Sequence, residues 1–217
     1  MKIKVCGLKS PENIEAVLSL PVEFIGLIFY PKSPRFAESP ALEKWLNKHA
    51  NKFEQVSKVG VFVNAEIEQV LNAVHDYQLD FVQLHGNESP EYCQELKQYW
   101  DISSLRHAKI IKAFGVDEHF DFAETQAYAR WCAYFLFDTP GPQHGGSGML
   151  FDWSLLQNYE GITPFFLSGG IHEDSAKAIR KLKLPGLVGV DLNSRFETEP
   201  GVKDVEKIKR FLAGLAG

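Results

Sequence analysis

Cysteine is scarce in this chain and wrongly spaced for cross-linking: Cys6, Cys93 and Cys132 are the three present in 217 residues, and no two form a CxxC pair. An odd count without metal-ligand spacing excludes a disulfide framework and a structural zinc site, and points to a reducing compartment. No apolar stretch reaches membrane-spanning length, and the N-terminus carries no signal-peptide pattern, so cytoplasm is the expected location and no membrane partner is expected. Basic runs are missing too. Lys and Arg total 23 against 28 acidic residues, a net charge of −5, and they are dispersed rather than gathered into a stripe, which argues against nucleic acid as a partner. No single patch reads as a protein interface, and the oligomeric state is left open.

What is present is a core-forming composition, 45% hydrophobic, sufficient for one domain spanning residues 1–217. Short β-branched and aromatic runs recur along the whole chain: Ile3–Cys6, Phe24–Phe29, Lys58–Val63, Phe81–His85, Lys109–Phe114, Tyr134–Asp138, Phe165–Ser168 and Leu187–Asp191. Between them, Leu42/Trp45/Leu46/Phe53, Ile67/Val70/Leu71/Val74 and Val205/Ile208/Leu212/Leu215 fall at helical spacing. Strands alternating with helices imply parallel pairing. Ser10-Pro11, Ser39-Pro40 and Ser89-Pro90 each set a capping hydroxyl before a proline suited to the first helical position. The helix after Asp138 is the weakest, with Asp152 its candidate start. Eight such units at about 27 residues each predict a compact α/β fold, a single (β/α)₈ TIM barrel; a doubly wound open sheet is the alternative.

In a barrel, the C-terminal strand ends share one rim, which brings Cys6, His85, Asp138, Gly169, Gly170 and Asp191 together. Asp138 closes the apolar run Cys132-Ala-Tyr-Phe-Leu-Phe and opens into a Gly/Pro-rich segment from Thr139 to Gly148 that reads as a lid. An acid on a rigid strand under a closing loop is placed to donate a proton; the plainer reading is an exposed loop acid. Cys6 is open to two readings, a reactive strand-end thiol or a small core residue. Ser168-Gly169-Gly170 and Asp191-Leu192-Asn193-Ser194 follow the last two strands, where barrels collect backbone N–H groups around phosphate; tight turns needing positive φ are the alternative. Arg35, on the proline-stiffened Tyr30-Pro-Lys-Ser-Pro-Arg35 loop, suits a planar carboxylate or is a surface charge. His85 is a secondary candidate or a structural hydrogen-bonder.

Taken in order, Lys4-Val-Cys6-Gly7, Gly26-Leu-Ile-Phe29 with Ser33-Pro-Arg35, Val59-Gly-Val-Phe-Val63-Asn64, Gln83-Leu-His85-Gly86, Phe137-Asp138-Thr139, Gly145-Gly-Ser-Gly148 with Phe151-Asp-Trp153, and Leu167-Ser-Gly-Gly170 resemble the phosphoribosylanthranilate isomerase family of tryptophan biosynthesis. The resemblance covers nearly the whole chain. It implies an Amadori rearrangement of N-(5-phosphoribosyl)anthranilate with Cys6 as general base, Asp138 as general acid, Arg35 on the anthranilate carboxylate and no metal or organic cofactor. Many members carry Ser-Ser-Gly after the eighth-strand Asp, where this chain reads Leu192-Asn193-Ser194-Arg195. Arg195 is thereby open to two roles, a phosphate clamp or a rim partner of Glu197 or Glu199.

The implied chemistry sets an electrostatic demand. At ordinary pKa values the thiolate/carboxylic-acid pair is only about 1 part in 10⁴–10⁵, a deficit of about 6 kcal/mol. Burial of Asp138 against Phe137 and an N–H-rich strand end at Cys6 are the expected means of narrowing it. A histidine-pathway isomerase of the same kind would use carboxylates in both roles, which Cys6 distinguishes. A metal-dependent pentose-phosphate epimerase would need several strand-end His and Asp, and a non-catalytic metabolite-binding barrel would need neither Cys6 nor Asp138.

Overall fold

The computed structural model describes residues 1–102, 108–140 and 152–217. Eight parallel strands close in sequence order: β1 (Lys2–Cys6), β2 (Phe24–Ile28), β3 (Ser57–Phe62), β4 (Phe81–Leu84), β5 (Lys109–Gly115), β6 (Cys132–Asp138), β7 (Phe165–Leu167) and β8 (Leu187–Leu192). The β8–β1 pairing, with Lys4 opposite Asp191, closes the barrel and disposes of the open-sheet alternative. The three Ser-Pro starts hold. Ser10, Ser39 and Ser89 accept from the backbone N–H three residues on, at 3.3, 3.2 and 3.3 Å, opening α1 (Pro11–Leu18), α2 (Pro40–Lys48) and α4 (Pro90–Ile102). The helix α3 (Ile67–Asp76) follows β3, and α5 (Ala176–Lys181) and α6 (Val205–Ala216) follow β7 and β8.

Two units depart from the regular pattern. Among the described residues, 3₁₀ segments stand in place of the α-helix after β5 and β6, Phe122–Tyr128 and Trp153–Asn158, the second capped by Asp152 accepting from Ser154 N–H at 2.9 Å. Aromatic rings cover the sheet there instead: Phe137 lies 5.6 Å from Phe122, 5.2 Å from Tyr159 and 5.0 Å from Phe165 between ring centroids. Phe53, grouped with α2 by spacing, belongs to a separate 3₁₀ turn, Ala50–Phe53.

Inside the barrel, Phe24, Val59, Phe81, Ile111, Leu136 and Phe166 form their own buried cluster, with Phe24 edge-on to Phe81 and Phe166 at 5.3 and 5.2 Å. That plug fills the lower lumen. Polar side chains facing inward therefore collect at the C-terminal rim, as barrel enzymes require. One addition is absent from a minimal barrel: the hairpin β9 (Glu197–Glu199) and β10 (Val202–Lys203) stands between β8 and α6 and reaches over the ends of β1 and β2.

Candidate active site

Side chains two apart on a strand share a face, so Lys4 and Cys6 both point inward from β1 while Ile3 and Val5 join the outer core. Lys4 is fully buried and its Nζ lies 2.9 Å from Asp191 Oδ1, itself 5% exposed. Cys6 is buried against β2: a Cβ on Gly26 would come within 2.7 Å of the sulfur. Burial pushes the Cys6 thiol up, with the Lys4 and Lys203 ammonium groups working against that rise and Asp191 adding to it. The lowering expected from strand-end N–H groups does not prevail, because desolvation outweighs the nearby cations.

Asp138 ends β6 with its carboxylate 22% exposed, Oδ1 accepting from Thr139 N–H at 2.7 Å and Oδ2 lying 3.5 Å from His85 Nε2. Phe137 does not cover it. The neighbouring side chain points to the opposite face and packs on Tyr159 and Phe165 outside the barrel, so the expected burial of Asp138 against Phe137 is corrected by the alternation of the strand. His85 Nδ1 faces Gln83 Nε2 at 2.7 Å. With the amide donating, the ring's proton sits on Nε2, aimed at Asp138. His85 and Asp138 both bear on Asp191, whose carboxyl is raised first by burial, against the opposing pull of Lys4. Asp191 thus stands between the thiol and the acid. Asp191, expected among the substrate contacts, has its Oδ1 engaged by Lys4.

Arg35 is less free than its loop suggested. Its Nε and Nη2 bind both oxygens of Glu197 at 2.7–3.1 Å, and Glu197 also takes Lys203 Nζ at 2.6 Å. Burial would raise Glu197, but Arg35 and Lys203 outweigh it and hold the carboxyl below its ordinary range. Lys203 Nζ also donates to Asn193 Oδ1 at 2.8 Å, which leaves the Asn193 backbone as the part expected at the phosphate. With Glu197 engaged by Arg35 and Lys203, Arg195, which is exposed, is not its partner. Gly7, at φ +82, lets this group close over Cys6: a Cβ there would meet Arg35, Asn193 and Lys203. Gly169 and Gly170 adopt φ +76 and +69, the left-handed turn that glycine permits, and Gly169 packs against Thr139 and Asp138. Ser194, beyond β8, is exposed. The expected lid lies, past Pro140, outside the described residues, as do Gly145–Gly148 and Phe151.

Lys4 and Lys203 escaped the sequence reading, and Glu197 was read as a possible partner of Arg195 rather than of Arg35 and Lys203. For Lys4 a signal existed, since period-two alternation in Lys2-Ile-Lys-Val-Cys6 puts it on the face of Cys6. The other two arrive on a hairpin with no local mark of function.

A plugged barrel with a thiol at the end of β1 and an acid at the end of β6 on its C-terminal rim is the architecture of a (β/α)₈-barrel enzyme. Residues 3–213 match the family model described as N-(5′phosphoribosyl)anthranilate (PRA) isomerase. The N-(5′-phosphoribosyl)anthranilate isomerase of Parabacteroides distasonis is 48% identical over 214 residues, covering 98% of this chain and 92% of that protein. A crystal structure of phosphoribosyl anthranilate isomerase from Thermotoga maritima superposes with a TM-score of 0.83 at 32% identity, covering 100% of this chain and 99% of that one. Another, of the isomerase in complex with reduced 1-(o-carboxyphenylamino)-1-deoxyribulose 5-phosphate, has a TM-score of 0.80 at 29% identity, covering 100% and 99%. The chain belongs to the phosphoribosylanthranilate isomerase family, whose members are ketol isomerases.

Proposed function

We propose that this chain converts N-(5′-phosphoribosyl)anthranilate to 1-(2-carboxyphenylamino)-1-deoxyribulose 5-phosphate by Amadori rearrangement in tryptophan biosynthesis, with Asp138 as general acid and Cys6 as general base. Asp138 donates to the furanose ring oxygen, the C1–O bond breaks, and the nitrogen lone pair forms an iminium. The C2 proton, now acidic beside that electron sink, passes to the Cys6 thiolate, and the resulting enolamine tautomerises to the ketone. His85, with Nε2 toward Asp138, orients the acid. Arg35 offers the guanidinium edge not taken by Glu197 to the anthranilate carboxylate. The phosphate lies on the backbone N–H groups of Gly169, Gly170, Asn193 and Ser194, where the left-handed turn opens the β7 loop. A phosphorylated small molecule is also what the related isomerase holds in its complex. A reducing cytoplasm suits three free cysteines.

The observation that carries the reading is the rim itself: Asp138 on β6, 3.5 Å from His85, and Cys6 on β1 stand to either side of β8, whose Asp191 holds Lys4 at 2.9 Å on the face of Cys6. Cys6→Ala and Asp138→Asn should each lower kcat on phosphoribosylanthranilate by about 10²–10⁴ while product affinity and urea unfolding stay close to wild type. Near-normal turnover in either variant removes that residue from the mechanism.

A further inference from the structure

The surroundings of Cys6 are unusually charged for a barrel interior. Around Cys6 and Gly7 stand three cations, Lys4 on β1, Lys203 on β10 and Arg35 after β2, against two carboxylates, Asp191 on β8 and Glu197 on β9. Strand β2 offers no charge there, presenting Gly26 against the sulfur. Of these, the charges that act on the Cys6 sulfur are Lys4 and Lys203 against Asp191, an excess of one cation that a thiolate at Cys6 would balance.

Lys4 occupies the decisive place. It sits two residues below Cys6 on the same face, fully buried, in register with Asp191 and bonded to it at 2.9 Å. A buried ion pair seldom stabilises a fold beyond what apolar side chains of the same volume would give, so packing alone does not account for a lysine at this position. An ammonium has three donors and Asp191 engages one. The charge of Lys4 also acts on the Cys6 sulfur.

We propose that Lys4, locked by Asp191, is a positioning residue for proton abstraction: its ammonium faces the Cys6 sulfur and balances the thiolate inside the barrel, where water does not reach. Asp191 is then an anchor for that ammonium rather than a substrate contact. This rests on the reading of Cys6 as the base.

The test follows the thiolate directly, as the 240-nm absorbance of each protein minus that of its Cys6→Ser counterpart, titrated with pH, beside the pH profile of kcat/KM. When a base titrates above its partner acid, the active form is constant between the two and falls off on the alkaline side as the base titrates. In Lys4→Met the spectral midpoint should rise by at least about one unit, the alkaline limb of kcat/KM should move up with it, and the plateau should fall by as much as roughly tenfold for each unit of that rise. Lys4→Arg should restore part of both. A merely structural lysine would lower the plateau and leave the limb and the midpoint where they were. Should Lys4→Met fail to fold through its stranded Asp191, Lys4→Met/Asp191→Leu removes both charges and should still move the midpoint upward, by less than Lys4→Met because Asp191 itself raises the thiol. An unmoved midpoint in a folded variant overturns the proposal. Retention of wild-type kcat by Cys6→Ser would instead overturn the assignment of Cys6, whatever Lys4 does.

Discussion

Gly169→Ala tests whether the β7 turn and the acid on β6 are one mechanical unit. Gly169 sits at φ +76, and a Cβ there would strike Thr139 Oγ1 and lie 2.6 Å from Thr139 N and 2.8 Å from Asp138 Oδ1. Real side chains do not approach so closely, so something must move. Thr139 N–H donates to Asp138 Oδ1 at 2.7 Å, so displacing either one displaces the other. The left-handed backbone itself costs alanine about 1–2 kcal/mol, which enters stability. Moving a proton donor by about 1 Å costs about 10²-fold in rate, which enters kcat. Gly186→Ala separates the two effects: its φ is +85, but the nearest atoms to a Cβ, on the Phe165 ring, are 3.5 Å away, and it lies far from the rim. The expected result is a similar loss of unfolding free energy in both variants by urea titration, with kcat reduced about 10²-fold in Gly169→Ala alone. A Gly169→Ala enzyme that folds and keeps kcat within threefold of wild type would refute the coupling. Equal losses of kcat in both would assign the effect to strain.

Arg35→Ala should raise KM for phosphoribosylanthranilate at least about tenfold and Arg35→Lys should recover only part, since an ammonium cannot serve Glu197 and a substrate carboxylate with one planar fork; a KM within twofold of wild type in Arg35→Ala, or an equal penalty for an analogue lacking the carboxylate, would remove that contact. Lys112→Met should cost about 3–5 kcal/mol in urea unfolding, because it strands Glu88, whose carboxylate is 1% exposed and 3.2 Å from Lys112 Nζ. A loss under about 1 kcal/mol would mean that the Asn64 and Gly86 N–H groups already satisfy Glu88.

The strands and their order were legible because each is a short apolar run whose alternation survives any neighbour, and the Ser-Pro starts were legible because a cap is closed within four residues. Units five and six were not. Their cover is a set of rings drawn from Phe122, Phe137, Tyr159 and Phe165, and aromatic packing across elements leaves no period to read. The site divides along the same line. Cys6, Asp138 and Gly169 are strand-end or turn residues whose positions follow from the barrel alone, whereas the partners that set their charge come from far along the chain: Lys4 meets Asp191 across 187 residues and Arg35 meets Glu197 across 162.

The barrel places Cys6 at the rim, but the expected lowering of its thiol does not follow from that place. A thiol's position depends on the strand that carries it, but its pKa depends on every element packed around it, and here burial from all sides exceeds what Lys4 and Lys203 return. The consequence for stability has a definite sign. A thiol raised in the folded state contributes stability that is present below its unfolded pKa and is lost as pH rises through the folded value. Making the thiolate inside this barrel therefore works against the fold, and the cations around Cys6 limit that cost without abolishing it. With Cys6 as the proposed base, chemistry and stability pull on the same sulfur in opposite directions, and the ammonium proposed to balance the thiolate eases that conflict.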